Sequence, residues 1–450
     1  MTTQLIIQQH GRGYLARHPH LRQGLRGALK ELAACRTGGF GSHRRQCTDC
    51  GWSETLPNSC RNRHCATCGG AARAQWYDKL QPKLLLTAHM QVVFTLPQEL
   101  IPLTLTQPRV LYDILFRTAW ATLQQLAADP RYLGAKLGAL AVLHTWNQEL
   151  QPHPHVHFVI PAGGLSLDGT TWVPFHQRQP GPAEQAGAYY FVPHKVISRV
   201  FRGKFLEALR AAYDSGDLIH SQLSPRWRSA PDFDQRCREL SRLDWVVYQQ
   251  SPPADLEPTA LVKYLARYVS GVAISDKRLV SCERGQVTFT VKNRNEHGRL
   301  EERTISVTDF LSRFLQHVLP SGFTRVRYYG IYSTGNASLR EHCRELLLAT
   351  ASAAASAAAP SVTPSEPVST ASSTSLPAAT AAVVLPSARA TALLCAVCHQ
   401  GVMRVVDLSP IPKWKVRCAP LCQTPSRSPR LPSPVPGVCV PASPVKEDSS

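Results

Sequence analysis

The sequence predicts an α+β fold for about residues 89–335. Short apolar runs typical of strands alternate there with amphipathic segments that have helical spacing. A cysteine-rich stretch precedes this region, and a stretch made almost entirely of Ala, Ser, Thr, Pro and Val follows it. Because such a composition cannot bury an apolar core, we expect that last stretch to be disordered. The sequence therefore predicts an N-terminal module (1–88), a main domain (89–335) and a low-complexity tail (336–450).

Apolar periodicity places the individual elements. Leu21, Leu25, Leu29 and Leu32 recur at helical spacing and predict one or two helices within residues 1–35. Pro258 stands where a first helical turn tolerates proline and Gly271 follows the expected end, which together bound a helix. The predicted helices are 71–88, 109–128, 196–213, 258–269 and 308–318, and the predicted strands are 91–96, 139–146, 155–161, 171–174, 243–248, 286–292 and 303–307.

The charge balance indicates a polyanionic partner. The 450 residues include 50 Lys and Arg against 31 Asp and Glu, a net charge of +19 with a pI near 9.6. Nucleic acid is the first candidate for that partner. A membrane partner is disfavoured, because the sequence has no apolar run near 18 residues and no lipidation motif. The N-terminus has no signal peptide, so we expect a cytoplasmic, nucleoid-associated protein with reduced thiols.

The cysteines of the N-terminal module have metal-ligand spacing. Cys47-x2-Cys50 and Cys65-x2-Cys68 are separated by 14 residues, close to the spacing of a zinc ribbon. Each pair supplies two thiolates, and we expect the two pairs to share one tetrahedral Zn²⁺. Further potential ligands, Cys60 among them, lie nearby; the others are His64, His43 and Cys35.

Two smaller features accompany this module. Its basic side chains, Arg61 and Arg63 in particular, predict contacts with DNA phosphates. Near the other end of the chain, Cys395-x2-Cys398 is a weaker candidate for a second zinc site, with Cys418 and Cys422 as its possible mates.

The segment His153-Pro-His-Val-His157 lies in the predicted strand 155–161. Side chains alternate faces along a strand, so His155 and His157 point to the same side. Imidazole is the commonest protein metal ligand, and a buried pair of imidazoles needs partners. Taken alone, the pattern fits either a metal site or a polar strand edge.

Two tyrosines share one face of the predicted helix 258–269. Tyr264 and Tyr268 are four residues apart, with Lys263 and Arg267 as a parallel basic pair. One interpretation is a pair of half-buried aromatic residues. The other is a pair of nucleophiles, because nearby cations stabilise a phenolate and the phosphate that it attacks.

These features resemble the two-tyrosine HUH transposases of the insertion-sequence-ninety-one type. The resemblance covers about residues 10–335 in the family's order and includes the cysteine cluster. Its motifs are Val93-Phe-Thr-Leu-Pro97, Leu143-His-Thr-Trp146, His153–His157 with Gly163-Gly164, Val200-Phe-Arg-Gly-Lys-Phe205, Tyr264-Leu-Ala-Arg-Tyr268, Ala273-Ile-Ser275, Arg313-Phe-Leu-Gln-His317 and Arg327-Tyr-Tyr-Gly330.

The resemblance implies an antiparallel-sheet HUH endonuclease core that nicks and rejoins single-stranded DNA at element ends. It implies that His155 and His157 hold Mg²⁺ or Mn²⁺, and that Tyr264 and Tyr268 are the nucleophiles that form a 5′-phosphotyrosine link. His144 is the preferred third metal ligand, because its strand should lie beside the HUH strand; the alternatives are His153 and Gln148.

Three other functions compete with a transposase. A replication initiator or relaxase shares the HUH chemistry, but the zinc module argues against it. A His-x-His metal hydrolase of small molecules would give no reason for the charge of +19. A zinc-dependent DNA-binding protein with an inactive catalytic domain is the non-enzyme alternative. In its favour, Val-Ser-Gly-Val follows Tyr268, where the family usually has a basic residue.

Overall fold

The computed structural model describes residues 1–177, 189–250, 272–293, 298–357 and 393–408. The described part is a mixed α+β structure, as predicted. Its helices are α1 (Thr3–Arg17), α2 (Gln23–Ala33), α3 (Ala66–Leu80), α4 (Ile101–Thr106), α5 (Pro108–Ala128), α6 (His194–Asp214), α7 (Pro225–Arg228), α8 (Ala230–Arg242), α9 (Val307–Gln316) and α10 (Ala337–Ala357). Its strands are β1 (Ser42–Cys47), β2 (Ser53–Pro57), β3 (His89–Thr95), β4 (Ala135–Lys136), β5 (Gly138–Trp146), β6 (Pro152–Pro161), β7 (Gly163–Ser166), β8 (Trp172–Pro174), β9 (His176–Gln177), β10 (Tyr189–Tyr190), β11 (Val247–Gln250), β12 (Leu279–Glu283), β13 (Gln286–Asn293), β14 (Arg299–Ser306), β15 (Val326–Gly330) and β16 (Met403–Leu408).

A five-stranded sheet forms the centre of the main domain. Its strand order is β11-β3-β6-β5-β15, and each neighbouring pair is antiparallel. This arrangement confirms the antiparallel core that the resemblance implied. The histidine-bearing strand β6 is the middle strand, so hydrogen bonds fix it on both edges.

Helices α5 and α6 contribute the core on one face of this sheet. Phe94 of β3 meets Phe158 of β6 edge-on at 5.7 Å between ring centroids, and Phe201 of α6 at 4.9 Å. All three rings are fully buried. Burying a phenylalanine contributes about 1.5–3 kcal/mol, so this aromatic cluster is a major source of sheet stability.

The opposite face carries a second apolar cluster. Leu140 and Val142 of β5 pack there with Leu80 at the end of α3 and with Cys343 of α10. Helix α10 lies in the segment that the sequence analysis assigned to the tail. The packing of Leu339, Leu346 and Leu347 against this cluster shows that the helix belongs to the folded part at least as far as Leu347.

The N-terminal helices pack on a separate antiparallel sheet, β12-β13-β14, and on α9. Ile6 and Leu29 share a core with Phe289 and Phe310. The hydroxyl groups of Tyr14 and Ser312 lie 3.0 Å apart, which adds a hydrogen bond across the same contact. The one or two helices expected within residues 1–35 are observed as α1 and α2; Leu25, Leu29 and Leu32 lie on α2, and Leu21 precedes it.

Element boundaries differ in a few places. Helix α3 begins at Ala66 instead of 71 and ends at Leu80, where a short 3₁₀ turn over Gln81–Lys83 follows it. The strand expected at 243–248 is observed at Val247–Gln250. The predicted helix 258–269 lies outside the described residues.

Of the helices that the structure describes, none combines the length and apolar character needed to cross a membrane.

Candidate catalytic metal centre

Strand β6 positions two of the histidines. His155 lies opposite Thr95 of β3 and opposite His144 of β5. His157 lies two residues further along, opposite Val142 on β5. Directly paired residues of an antiparallel sheet share a face, so all three imidazoles lie on one side. The predicted common face of His155 and His157 is therefore confirmed.

The three imidazoles form a compact group. Their ring centroids are 5.4 Å apart for His144 and His155, 4.6 Å for His144 and His157, and 4.8 Å for His155 and His157. One nitrogen from each ring lies within 4.8 Å of the other two. His144 and His157 are buried, whereas His155 is partly exposed. The group is thus accessible from one side and enclosed on the other.

The turn between β5 and β6 sets the register that aligns His144 with His155. The side-chain oxygen of Asn147 accepts from the main-chain N–H groups of Glu149 and Gln151, both at 2.9 Å. Leu150 adopts a positive φ of 60°. Its carbonyl accepts from Nε2 of the buried His317 at 3.0 Å, and Nδ1 of that ring meets the Thr145 hydroxyl. Burial lowers the pKa of His317 to about 4, so the ring is neutral at pH 7 while it holds this turn in place.

The alternative third ligands, His153 and Gln148, are both exposed. The His153 ring lies 5.1 Å from that of His155, at the outer end of the strand. Gln148 lies in the turn, and its main-chain carbonyl accepts a hydrogen bond from Arg278. Of the two histidine candidates, His144 has a nitrogen within the compact histidine group and His153 does not.

Burial holds His157 in the form that binds a metal. Desolvation, reinforced by the charge of His155, lowers the pKa of His157 well below its usual value. The ring is consequently neutral at pH 7, as metal coordination requires. The side-chain amide of Gln91 on β3 forms a hydrogen bond with Nδ1 of His157. This contact orients the imidazole and engages one of its two nitrogens.

Sequence reasoning missed Gln91. The residue is 6% exposed on a strand that is otherwise largely apolar. A buried amide interrupting an apolar strand is a signal for a polar partner, because burying such a group without a hydrogen bond is costly. That signal was present in Gln91-Val-Val-Phe-Thr95, but the partner depends on the pairing of β3 with β6.

The N-terminal module contains a four-cysteine cluster at the base of α3. Its members are Cys35, Cys60, Cys65 and Cys68, with all sulfurs within 4.8 Å of one another. The Sγ–Sγ distances are 3.6 Å for Cys60 and Cys68 and 3.7 Å for Cys35 and Cys65. A tetrahedral zinc with Zn–S bonds near 2.3 Å places its sulfurs about 3.8 Å apart, whereas a disulfide requires about 2.05 Å. The cluster therefore fits a zinc ion.

The expected sharing of one site by Cys47/Cys50 and Cys65/Cys68 is wrong. Cys65 and Cys68 join Cys35 and Cys60, whereas Cys47 and Cys50 join Cys395 and Cys398 in a second group. The physical reason is that β1 and β2 carry Cys47 and Cys50 away from α3 as a hairpin. His64 also lies outside the first group, since its Nε2 accepts from the main-chain N–H of Leu319.

The predicted DNA contacts have different environments. Arg61 is exposed, with a positive φ of 52°. Arg63 is partly buried and donates to the main-chain carbonyl of Phe323 at 2.6 Å, so it links the cysteine module to the main domain. The other predicted residues lie outside the described residues; they are Lys263, Tyr264, Arg267 and Tyr268.

Comparisons with known proteins agree with this architecture. Residues 138–340 match a family described as "Putative transposase", and residues 6–96 match a "Transposase zinc-binding domain". A putative transposase, y4qJ, of Sinorhizobium fredii is 40% identical over 345 residues, which are 76% of this chain and 83% of the relative. The transposase for insertion sequence element IS801 of Pseudomonas savastanoi pv. phaseolicola is 29% identical over 67% of this chain and 68% of its own length. No solved structure gives a significant match.

The two family matches and the relatives show that the chain is a transposase with an N-terminal zinc-binding domain. The chain belongs to the IS91-type transposases.

Proposed function

We propose that this protein nicks and rejoins single-stranded DNA at the ends of an insertion sequence, through a 5′-phosphotyrosine intermediate, during rolling-circle transposition. The observation that carries the proposal is the convergence of His144, His155 and His157 on the central strands of a transposase. The transposase relatives disfavour a hydrolase of small molecules.

The donor set fits a divalent metal with affinity for nitrogen. Three imidazoles supply three nitrogen donors, and burial keeps His157 in the neutral form that binds a metal. Mg²⁺ prefers oxygen ligands, whereas imidazole suits softer divalent ions, so we expect Mn²⁺ to bind more tightly than Mg²⁺. A metal held there would act as a Lewis acid that polarises the scissile phosphate.

The tyrosines supply the covalent step in this proposal. The phenol oxygen of Tyr264 or Tyr268 bonds to phosphorus, and the bond from phosphorus to the 3′ oxygen breaks. The phenol loses its proton and the departing 3′ oxygen gains one, so the products are a 5′-phosphotyrosine and a free 3′-OH. Because one phosphodiester replaces another, joining needs no ATP. Lys263 and Arg267 would contact the DNA phosphates beside the nucleophiles.

A covalent-adduct assay tests the proposal. Purified protein is incubated with labelled single-stranded DNA carrying the element's end and Mn²⁺, and the products are separated under denaturing conditions. We expect an adduct that resists denaturation and disappears in Tyr264→Phe or Tyr268→Phe, whichever residue attacks first. Tyr248→Phe is the matched control, because Tyr248 is a 52% exposed tyrosine on β11.

The metal assignment is tested separately with His157→Ala. This variant should lose the adduct, whereas His20→Ala, which changes an exposed histidine outside the site, should retain it. Retention of the adduct in His157→Ala contradicts the metal assignment. If no cognate end gives an adduct with the wild-type protein, the catalytic proposal fails and a zinc-dependent DNA-binding function takes its place.

A further inference from the structure

The second cysteine group joins two distant parts of the chain. Strand β16 pairs antiparallel with β1, from His43 opposite Leu408 to Cys47 opposite Met403. The pairing extends beyond the strands, because the main-chain N–H of Thr48 donates to the carbonyl of Val402 at 3.1 Å. Segment 393–408 is therefore an integral part of the N-terminal module, although the sequence analysis placed it in the tail.

The sulfur positions match those of a tetrahedral thiolate site. Cys47 and Cys398 have Sγ atoms 3.6 Å apart, and Cys50 and Cys395 have Sγ atoms 3.7 Å apart. All four sulfurs lie within 4.8 Å of one another. These separations are close to the roughly 3.8 Å expected for sulfurs around one zinc and far above the roughly 2.05 Å of a disulfide.

Each cysteine pair lies in a tight turn whose main-chain amides point at sulfur. The N–H groups of Asp49 and Cys50 lie 3.4 and 3.5 Å from Sγ of Cys47. On the other side, the N–H of Val397 lies 3.4 Å from Sγ of Cys395, and the N–H of Gly401 lies 3.4 Å from Sγ of Cys398. Main-chain N–H donors of this kind stabilise thiolates and orient them toward a metal ion.

The two turns also touch directly. Gly401 approaches Cys47 and Asp49 so closely that a Cβ at residue 401 would overlap the sulfur of Cys47. Trp52 packs against the same small cluster of Cys47, Cys395 and Met403. The turns are thus shaped to meet each other, with the four sulfurs on the inside of the contact.

We propose that Cys47, Cys50, Cys395 and Cys398 bind a second Zn²⁺ that fastens segment 393–408 to the N-terminal module. The matched zinc-binding family covers residues 6–96 and the transposase family ends at residue 340, so neither includes Cys395 or Cys398. The site joins Cys50 to Cys395, which is 345 positions further along the chain. Segment 393–408 is too short to bury a core of its own, and the metal supplies the cross-link that holds it.

Zinc stoichiometry tests the proposal in the full-length chain. The background is His155→Ala with His157→Ala, so that the histidine site contributes no metal. We expect two zinc ions per chain, one for each cysteine group. Cys47→Ser with Cys50→Ser, and Cys395→Ser with Cys398→Ser, should each remove one ion. The variant carrying all four changes should also remove one ion, because the two pairs share it.

The controls exclude other ligands. Cys237→Ser with Cys343→Ser changes two free cysteines outside both groups and should leave two ions bound. Cys418→Ser with Cys422→Ser should also leave two. Loss of zinc in the latter variant, loss of two ions when all four changes are combined, or no loss in the Cys395/Cys398 variant would each overturn the proposal.

Zinc X-ray absorption provides a measurement that requires no cysteine variant. In the same histidine-variant background, all zinc should have four sulfur neighbours near 2.3 Å. A shell that mixes sulfur with nitrogen or oxygen contradicts two four-cysteine sites. If each chain binds only one zinc ion and Cys47 and Cys50 are oxidised, a disulfide takes the place of the second ion and the proposal is wrong.

Discussion

Replacing Gln91 with leucine tests whether a hydrogen bond from strand β3 orients His157 for metal binding. Gln91 is 6% exposed, and its amide bonds to Nδ1 of His157. Leucine keeps the apolar volume and the burial but cannot form a hydrogen bond. In the structure the amide nitrogen of Gln91 faces Nδ1 of His157. In the metal-bound form we expect the amide to turn so that its carbonyl oxygen accepts from Nδ1–H, which leaves Nε2 as the ligand nitrogen. Gln91→Leu should therefore weaken metal binding without changing the ligands themselves.

The expected magnitude follows from the role of the hydrogen bond. Removing the hydrogen-bond partner of a metal-ligating histidine typically costs 10–100-fold in metal affinity, which corresponds to about 1.4–2.7 kcal/mol. The loss of a partner for a buried imidazole, about 1–3 kcal/mol, gives the same range independently. Gln91→Glu should retain or increase the affinity, because a carboxylate accepts from Nδ1–H and raises the basicity of the ring.

Calorimetric titration with Mn²⁺ measures this effect. Gln250→Leu is the matched control, because Gln250 lies directly opposite Gln91 on the neighbouring strand β11 and is exposed. Circular dichroism confirms that each variant keeps its secondary structure. An unchanged Mn²⁺ affinity in a folded Gln91→Leu protein would refute the idea that Gln91 orients His157.

Three further predictions concern stability and DNA contact. Burial lowers the pKa of His89 and of His317 to about 4. As the pH falls from 6.5 to 4, protons bind the unfolded chain preferentially, so the free energy of unfolding should fall by up to about 3 kcal/mol for each residue. Urea titrations at stepped pH check this, and His317→Gln should flatten the dependence. Gly330 has φ +53° with no room for a Cβ, so Gly330→Ala should cost at least ~2 kcal/mol, seen as a lower melting temperature. Arg61→Gln should leave the melting temperature unchanged and reduce the salt dependence of DNA binding by about one ion, whereas Arg63→Gln should lower stability by about 1.5–3 kcal/mol because it removes a charged hydrogen bond.

Local sequence patterns were sufficient to predict most of the helices and strands around the histidine group. The strands expected at 139–146 and 155–161 are observed at Gly138–Trp146 and Pro152–Pro161, because their apolar runs are buried by helices on one face. The helix expected at 109–128 is observed at Pro108–Ala128. A repeat of two or 3.6 residues depends only on neighbouring positions, so a single sequence is enough to reveal it.

Local patterns could not predict which distant strands and cysteine pairs come together in the fold. The three Cys-x2-Cys pairs are chemically equivalent, and spacing alone favours the nearest mates, Cys47/Cys50 with Cys65/Cys68. Strand β16 overrides that preference because its pairing with β1 brings Cys395 and Cys398 to Cys47 and Cys50. Its exposed residues Val405, Val406 and Leu408 lack the alternation of a half-buried strand, so the segment gives little sign of its partner.

The histidine group could be predicted only in part from local patterns, because His144 joins it through the pairing of two strands. That His155 and His157 share a face follows from their spacing, but the proximity of His144 depends on the register of β5 with β6. A shift of one residue would turn His144 to the face covered by α5 and α6. The register is held by the turn, where Asn147 satisfies two main-chain N–H groups and His317 binds the carbonyl of Leu150. His317 is 167 residues away from that carbonyl in sequence. The geometry of the histidine group thus depends on a contact that no local pattern contains, and the position of His144 is a property of the folded domain.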